Sequence, residues 1–228
     1  MEDLRIIQRL LIALVFTLSH VLFSAGLLAQ SADQPSPQKN ENSHSPKVAK
    51  RTPLIEALKD GIPKNSVKRA QVRDNLYALL ATAEDPKSAQ RIEKALAKLY
   101  LTSGSPTVDI LMRRGVQAIN ADKYVKALEF LNAVTELAPD YAEGWNQRAF
   151  TFYKQNDIRK AAGDLRRVLA LDPNHIRALE GLGTILREVG DNAGAYKVFQ
   201  KLIAINPNAE DARKAIKDLK RKVEGRRI

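Results

Sequence analysis

Residues 142–175 read AEGWNQRAFTFYKQNDIRKAAGDLRRVLALDPNH, and residues 176–209 read IRALEGLGTILREVGDNAGAYKVFQKLIAINPNA. The two stretches have equal length and share their landmarks. Each closes on an apolar residue, an Asp or Asn, and Pro-Asn: Leu171-Asp172-Pro173-Asn174 and Ile205-Asn206-Pro207-Asn208. One period upstream, Leu137-Ala138-Pro139-Asp140 closes the stretch 108–141 in the same way. The prolines are therefore 34 residues apart, twice. A fixed period of this size marks a stack of small supersecondary units. Three copies in one frame, without insertion or deletion, predict an all-α solenoid of helix pairs.

Each landmark has a physical reason. Proline lacks an amide hydrogen and clashes with the preceding turn, so each one ends a helix and turns the chain into the next period. Asn156-Asp157 and Gly190-Asp191 mark a tight turn inside a period. Gly115, Ala149 and Gly183 share one register, and Ala127, Ala161 and Ala195 share another. Small side chains at both let two helices approach to about 8–10 Å. Trp145, Phe152, Leu165 and Phe199 fill the space above and below. No pair can bury its apolar face alone, so the stack needs neighbours and polar ends.

This spacing resembles the tetratricopeptide repeat (TPR) pattern, W-x2-L-G-x2-Y, then A-x3-F, then P. Repeat 142–175 supplies Trp145, Arg148, Ala149, Phe152, Ala161, Leu165 and Pro173. Repeat 176–209 supplies Leu179, Leu182, Gly183, Leu186, Ala195, Phe199 and Pro207. Repeat 108–141 supplies Leu111, Arg114, Gly115, Ala118, Ala127, Leu131 and Pro139. Arg114 and Arg148 stand where a Leu is usual. The match is specific over 108–209 and extends over 65–225 with flanking helices. It implies a TPR-type solenoid whose concave face binds a peptide or partner segment. The layout as a whole is similar to small exported bacterial TPR proteins.

The flanks read as follows. Thr52-Pro53 opens a short helix with Leu54, Ile55 and Leu58, closed by Gly61. A second helix runs from Ser66 to Ala83, with Val67, Ala70, Leu76, Leu79 and Leu80 expected inward. Asp85-Pro86 caps a third, with Ala89, Ile92, Leu96 and Leu99 inward, ending at Thr102-Ser103-Gly104. The last two form a degenerate, cap-like hairpin within an N-terminal helical region, 53–105. The TPR domain occupies 106–228. Its end, 210–224, suits a capping helix with Ala212, Ala215, Ile216 and Leu219 facing in.

Residues 10–29 read LLIALVFTLSHVLFSAGLLA behind Arg5 and Arg9. A basic start, an apolar middle and small residues at the end describe an export signal. The run is also long enough to span a bilayer if it is retained as an anchor. Both readings of 1–29 export the remainder. The expectation is a bacterial periplasmic protein, or one anchored in the inner membrane with its repeats outside. Residues 30–52 are rich in Pro, Ser, Asn and Gln, lack apolar periodicity, and read as a disordered tether.

Net charge is +11. The repeats with their entry turn, 106–209, hold only +2 of it, and the tail 210–228 holds +4. A groove built to follow a phosphate backbone places its excess in the binding surface. The distribution therefore argues against nucleic acid. It leaves a second reading, in which Lys214, Lys217, Lys220, Arg221 and Lys222 contact anionic lipid, polymer or nucleic acid. No aromatic residue interleaves with those cations, as single-strand binding would favour.

Catalytic chemistry finds no foothold. The chain has no cysteine, so thiol nucleophiles, disulfides and thiolate metal sites are out. Of three histidines, His20 lies in the apolar run, His44 in the tether, and His175 in an inter-repeat turn read as solvated. No Ser/His/Asp arrangement surrounds any of them. Gly181-Leu182-Gly183 lies inside a helix rather than between a strand and a helix, so it is no phosphate loop. The expectation is a non-enzyme with no cofactor, metal or small-molecule substrate.

The resemblance also implies which residues line the groove. The second, fifth, ninth and twelfth positions of each TPR face inward on the concave side. Here they are Asp109, Met112, Val116 and Ile119; Glu143, Asn146, Phe150 and Tyr153; and Arg177, Glu180, Thr184 and Arg187. Phe150 and Tyr153 stand out, since paired aromatics supply rigid contact area of the kind found at binding hot spots. Some TPR domains hold the acidic tail of chaperones in a carboxylate clamp of Lys, Asn and Arg. The equivalent positions are Met112, Val116, Gln147, Arg177 and Gly181, and of these Arg177 alone fits. The leading reading is a non-catalytic exported adaptor that binds a protein or peptide partner of the cell envelope.

Overall fold

Turn chemistry divides each period into two helices. The computed structural model describes residues 61–225 and forms nine helices there. They are α1 (Ser66–Ala81), α2 (Pro86–Tyr100), α3 (Pro106–Asn120), α4 (Tyr124–Leu137), α5 (Ala142–Lys154), α6 (Ile158–Leu171), α7 (Ile176–Glu188), α8 (Asn192–Ile205) and α9 (Glu210–Glu224). There is no strand among the described residues. The expected segments 1–29 and 30–52, and the short helix with Leu54, Ile55 and Leu58, lie outside the described residues.

Inside each repeat the turn holds one residue with positive φ: Asp122 at 55°, Asn156 at 61° and Gly190 at 83°. These positions are one period apart, and Asp, Asn and Gly are the residues that enter that region at least cost. Asp157 and Asp191 then cap the second helices, accepting from the Lys160 and Gly194 amides. Pairs α3/α4, α5/α6 and α7/α8 pack internally, and each second helix packs on the first helix of the next unit. Helix α9 receives α8 in the same way, with Ala212, Ala215 and Leu219 buried.

The close contacts fall where small residues stand. Ala127, Ala161 and Ala195 are fully buried. A Cβ added to Gly183 would come within 2.7 Å of the Phe199 ring, so only glycine permits this approach. Ala161→Leu should overpack the second repeat, costing about 1–3 kcal/mol. A thermal melt reads this, and an unchanged midpoint would show that the contact tolerates bulk.

Arg148, at the usual Leu position, is accommodated by a dedicated shell. Its guanidinium pairs with both oxygens of Asp164 at 2.7 and 2.8 Å, and Nη1 donates to Asn132 and Thr135. It lies 4.6 Å from the Trp145 ring centroid. A buried bidentate pair replaces the apolar contact that Leu would make.

The α1/α2 hairpin corrects one expectation. It does not stack along α3 as the cap of the first repeat. It lies across the inter-repeat turns instead, with α1 on α8. Leu76, Leu80, Ile92, Leu96 and Leu99 share a core with Ile176, Leu179, Phe199 and Leu202. Polar anchors fix it there. Tyr77 donates to Asp172 at 2.7 Å and receives Tyr100 at 2.6 Å; Asn208 donates to the Ala83 carbonyl at 2.9 Å. Burial first, and neighbouring Tyr100 and Asp172 second, push the Tyr77 hydroxyl far above its ordinary pKa, so it remains a donor. This seat turns Val67, expected inward, out to solvent at 68% exposure.

Candidate functional site

Helices α3, α5 and α7 set their inner faces side by side around a depression of about 540 Å³. Val116, Ile119, Asn146, Phe150, Tyr153, Arg177, Glu180 and Thr184 all line it. Ile119 and Asn146 are largely buried, whereas Phe150 keeps 47% of its surface exposed. A large aromatic ring left half in water at the middle of a concave face is an uncovered contact. The Tyr153 hydroxyl is committed to Glu188 at 2.7 Å, which orients the ring and raises its pKa.

Four expected groove residues, Met112, Arg187, Asp109 and Glu143, lie outside the depression's lining. Met112 is 1% exposed and packs in the first repeat's core with Val108, Leu131 and Val134. Its long apolar side chain fills that core, whereas Asn146 and Glu180 at the same register are polar and keep to the groove. Arg187, in the last turn of α7, lies outside the depression's lining. The charged Asp109 also turns away, accepting from the Ser103 amide and hydroxyl.

Glu143 and His175 require the largest correction. His175 is not solvated: it is fully buried, stacked on Tyr100 of α2 at 4.2 Å between centroids. Its Nδ1 accepts from the Ala178 amide, capping α7, so the ring proton sits on Nε2 and is donated to Glu143 at 3.0 Å. Glu143 also receives Asn146 at 3.1 Å and Gln147 at 2.6 Å, with Arg177 at 3.8 Å. The carboxylate is thereby withdrawn from the groove, and the three side chains it binds are fixed along the groove wall. Among the described residues no buried side-chain nitrogen or oxygen lacks a partner. The N-cap slot before Ile176 was the available signal for His175; the ring that covers it comes from a distant helix.

Asn120, Gln147, Ala149, Leu165, Gly181 and Ile185 complete the lining; of these only Gln147 and Gly181 were placed at the groove by the sequence, as equivalents of clamp positions. They come from the sixth, eighth and tenth positions, from one second helix and from the end of α3. Glu180 keeps solvent contact, yet its carboxyl is raised above the ordinary range, first by the protein around it and then by Glu93 of α2. Arg177 opposes that shift and is itself half exposed.

The basic tail residues Lys214, Lys217, Lys220, Arg221 and Lys222 are exposed on α9. Three of them are paired within the helix: Lys214 with Asp211, Lys220 with Glu224, and Arg221 with Asp218. No group of three or more candidate metal ligands occurs among the described residues. No described helix is long and apolar enough to cross a membrane.

Comparison with known proteins agrees with this architecture. The Tetratricopeptide repeat family model matches residues 147–210. A TPR repeat-containing protein of Rhizobium etli is 32% identical over 154 residues, covering 68% of this chain and 76% of the relative. Rat sperm-associated antigen 1 is 30% identical over 108 residues, 46% of this chain and 12% of the relative. In fold, the first TPR domain of Spaghetti (RPAP3), solved with an HSP90 peptide, aligns with a TM-score of 0.50 at 17% identity. The alignment covers 53% of this chain and 95% of that one. TPR domains are protein-interaction modules and generally non-catalytic. The chain belongs to the tetratricopeptide repeat proteins.

Proposed function

We propose that this chain is a non-catalytic, exported adaptor whose concave face holds a protein or peptide segment of the cell envelope. The observation that carries the reading is the half-exposed Phe150 at the centre of a preformed depression, with fixed amides of Asn146 and Gln147 beside it. Apolar anchors surrounded by oriented polar groups are what a peptide main chain and one large side chain require. The tail reading is weaker, because its cations are largely engaged with acids of their own helix. The solved complex of Spaghetti with an HSP90 peptide supports a peptide occupant, although the clamp residues differ here.

A photoreactive residue at Phe150 tests the groove. It should cross-link a defined envelope protein in living cells, while the same probe at exposed Val125 on α4 should not. Equal labelling from both positions would defeat the reading. Export is tested separately. The mature chain should begin within a few residues of Ala29, as N-terminal sequencing reads. Intact Met1 in the membrane fraction would establish the anchor form. Full-length chain in the soluble cytoplasm would overturn both.

A further inference from the structure

The polar wall of the groove is held from outside the groove. Tyr141 and His175 fill the N-cap slots of α5 and α7, one period apart. Both end on a single residue of the hairpin. Tyr141 donates its hydroxyl to the Tyr100 carbonyl at 2.6 Å. The His175 ring stacks on the Tyr100 ring at 4.2 Å, with 20° between the planes. Tyr100 closes α2 and is buried, and its own hydroxyl is tied to Tyr77 of α1 at 2.6 Å. The hairpin thus fastens the starts of the two helices that supply most of the groove.

His175 carries that hold to the groove wall. Its Nδ1 is taken by the Ala178 amide, which leaves the Nε2 hydrogen for Glu143. Glu143 is 1% exposed, and a carboxylate offers acceptors only. It therefore takes the NH2 groups of Asn146 and Gln147, at 3.1 and 2.6 Å, and turns both carboxamide oxygens away from itself. A carboxylate free to rotate would let both amides go. The His175 donor fixes its torsion, and the Tyr100 ring lying on the imidazole keeps that donor in plane. Burying such a network costs more than an apolar contact of the same size. What it provides is orientation: two amides and Arg177 stand ready in the wall before any ligand arrives.

We propose that Tyr100 and His175 are positioning residues of the binding groove: the docked hairpin sets, through Glu143, the orientation in which Asn146 and Gln147 meet the bound segment. The inference rests on the groove being the binding face. It makes the hairpin part of the recognition apparatus, although Tyr100 lies outside the groove's lining. By reciprocity, occupancy of the groove strengthens the seat of the hairpin.

Side-chain amide NMR signals of the isotope-labelled full chain read the wall directly, without a ligand. His175→Asn keeps a side-chain oxygen to cap the Ala178 amide, yet is too short to reach Glu143. The Asn146 and Gln147 NH2 signals should shift, and the cross-linking yield from a photoreactive residue at Phe150 should fall about tenfold. Glu143→Gln, which keeps the size, should disturb the same two signals. Tyr100→Phe keeps the ring and loses only the hydroxyl, so both readouts should stay near those of the parent chain. Tyr100→Ala removes the ring and should reproduce His175→Asn. Should Tyr100→Ala fail to fold, His175→Asn and Glu143→Gln decide the matter. Unshifted amides in these two variants would overturn the proposal, as would shifted amides with an undiminished cross-linking yield. Equal disturbance by Tyr100→Phe and Tyr100→Ala would also overturn it, by assigning the effect to hairpin stability. A parent chain whose Phe150 probe labels no protein would remove the groove as the binding face, while the amide signals decide the positioning on their own.

Discussion

Replacing Phe150 and Tyr153 together by alanine should abolish capture of the proposed protein or peptide partner while leaving the helical melt nearly unchanged. The two rings sit one turn apart on α5, at the centre of the depression. Central aromatic anchors cost on the order of 2 kcal/mol or more when truncated, about a thirtyfold loss of affinity each. Phe150 is half exposed and Tyr153 only flanks the second-repeat core, partly buried, so the fold loses little with the two rings. Neutralising Lys220, Arg221 and Lys222 should instead weaken only salt-sensitive adsorption to anionic surfaces. Pull-down at two salt concentrations separates the effects. Capture that survives loss of the rings and disappears with the tail charges would move function to α9.

Asp164→Ala should destabilise the repeats strongly. It leaves the Arg148 guanidinium, mostly buried between Trp145 and Thr135, without its counter-charge. Removing one partner of a buried pair costs about 3 kcal/mol, because the other charge remains desolvated. For a chain of this size that lowers the melting midpoint by roughly 10 °C. Arg148→Leu in the same background removes the orphaned charge and restores the usual TPR residue. It should recover most of the loss. If the double variant melts no higher than Asp164→Ala alone, the cost lies in packing and not in charge.

The local rules of the array were legible in the sequence, and its long-range seat was not. Period, turn residues and small contact positions all depend on neighbours within one or two repeats, so Asn156, Gly183 and Ala161 read correctly in isolation. The α1 and α2 helices were equally legible from their caps. Their destination was not, because nothing near Leu76 or Ile92 encodes Leu179 or Phe199. The error on His175 has the same origin: its cover, Tyr100, lies on the misplaced hairpin. Met112 failed for a different reason. A groove rule assigns position and ignores chemistry, and an apolar side chain beside an unfilled core goes to the core.

The hairpin's seat also dictates an order of assembly. A plain repeat stack closes each unit on its neighbour and can nucleate anywhere and grow repeat by repeat. Here the first two described helices and the turn between them bond to residues 95 and 125 positions later, through Tyr77–Asp172 and Ala83–Asn208. Leu76, Leu80 and Leu96 therefore have no complete burial site until α8 exists. Contacts of that separation slow folding and couple the two ends of the chain into one transition. A nascent or truncated chain ending after the second repeat would carry the hairpin as exposed apolar surface, a handle for chaperones and proteases. Completion of the third repeat removes that handle in one step.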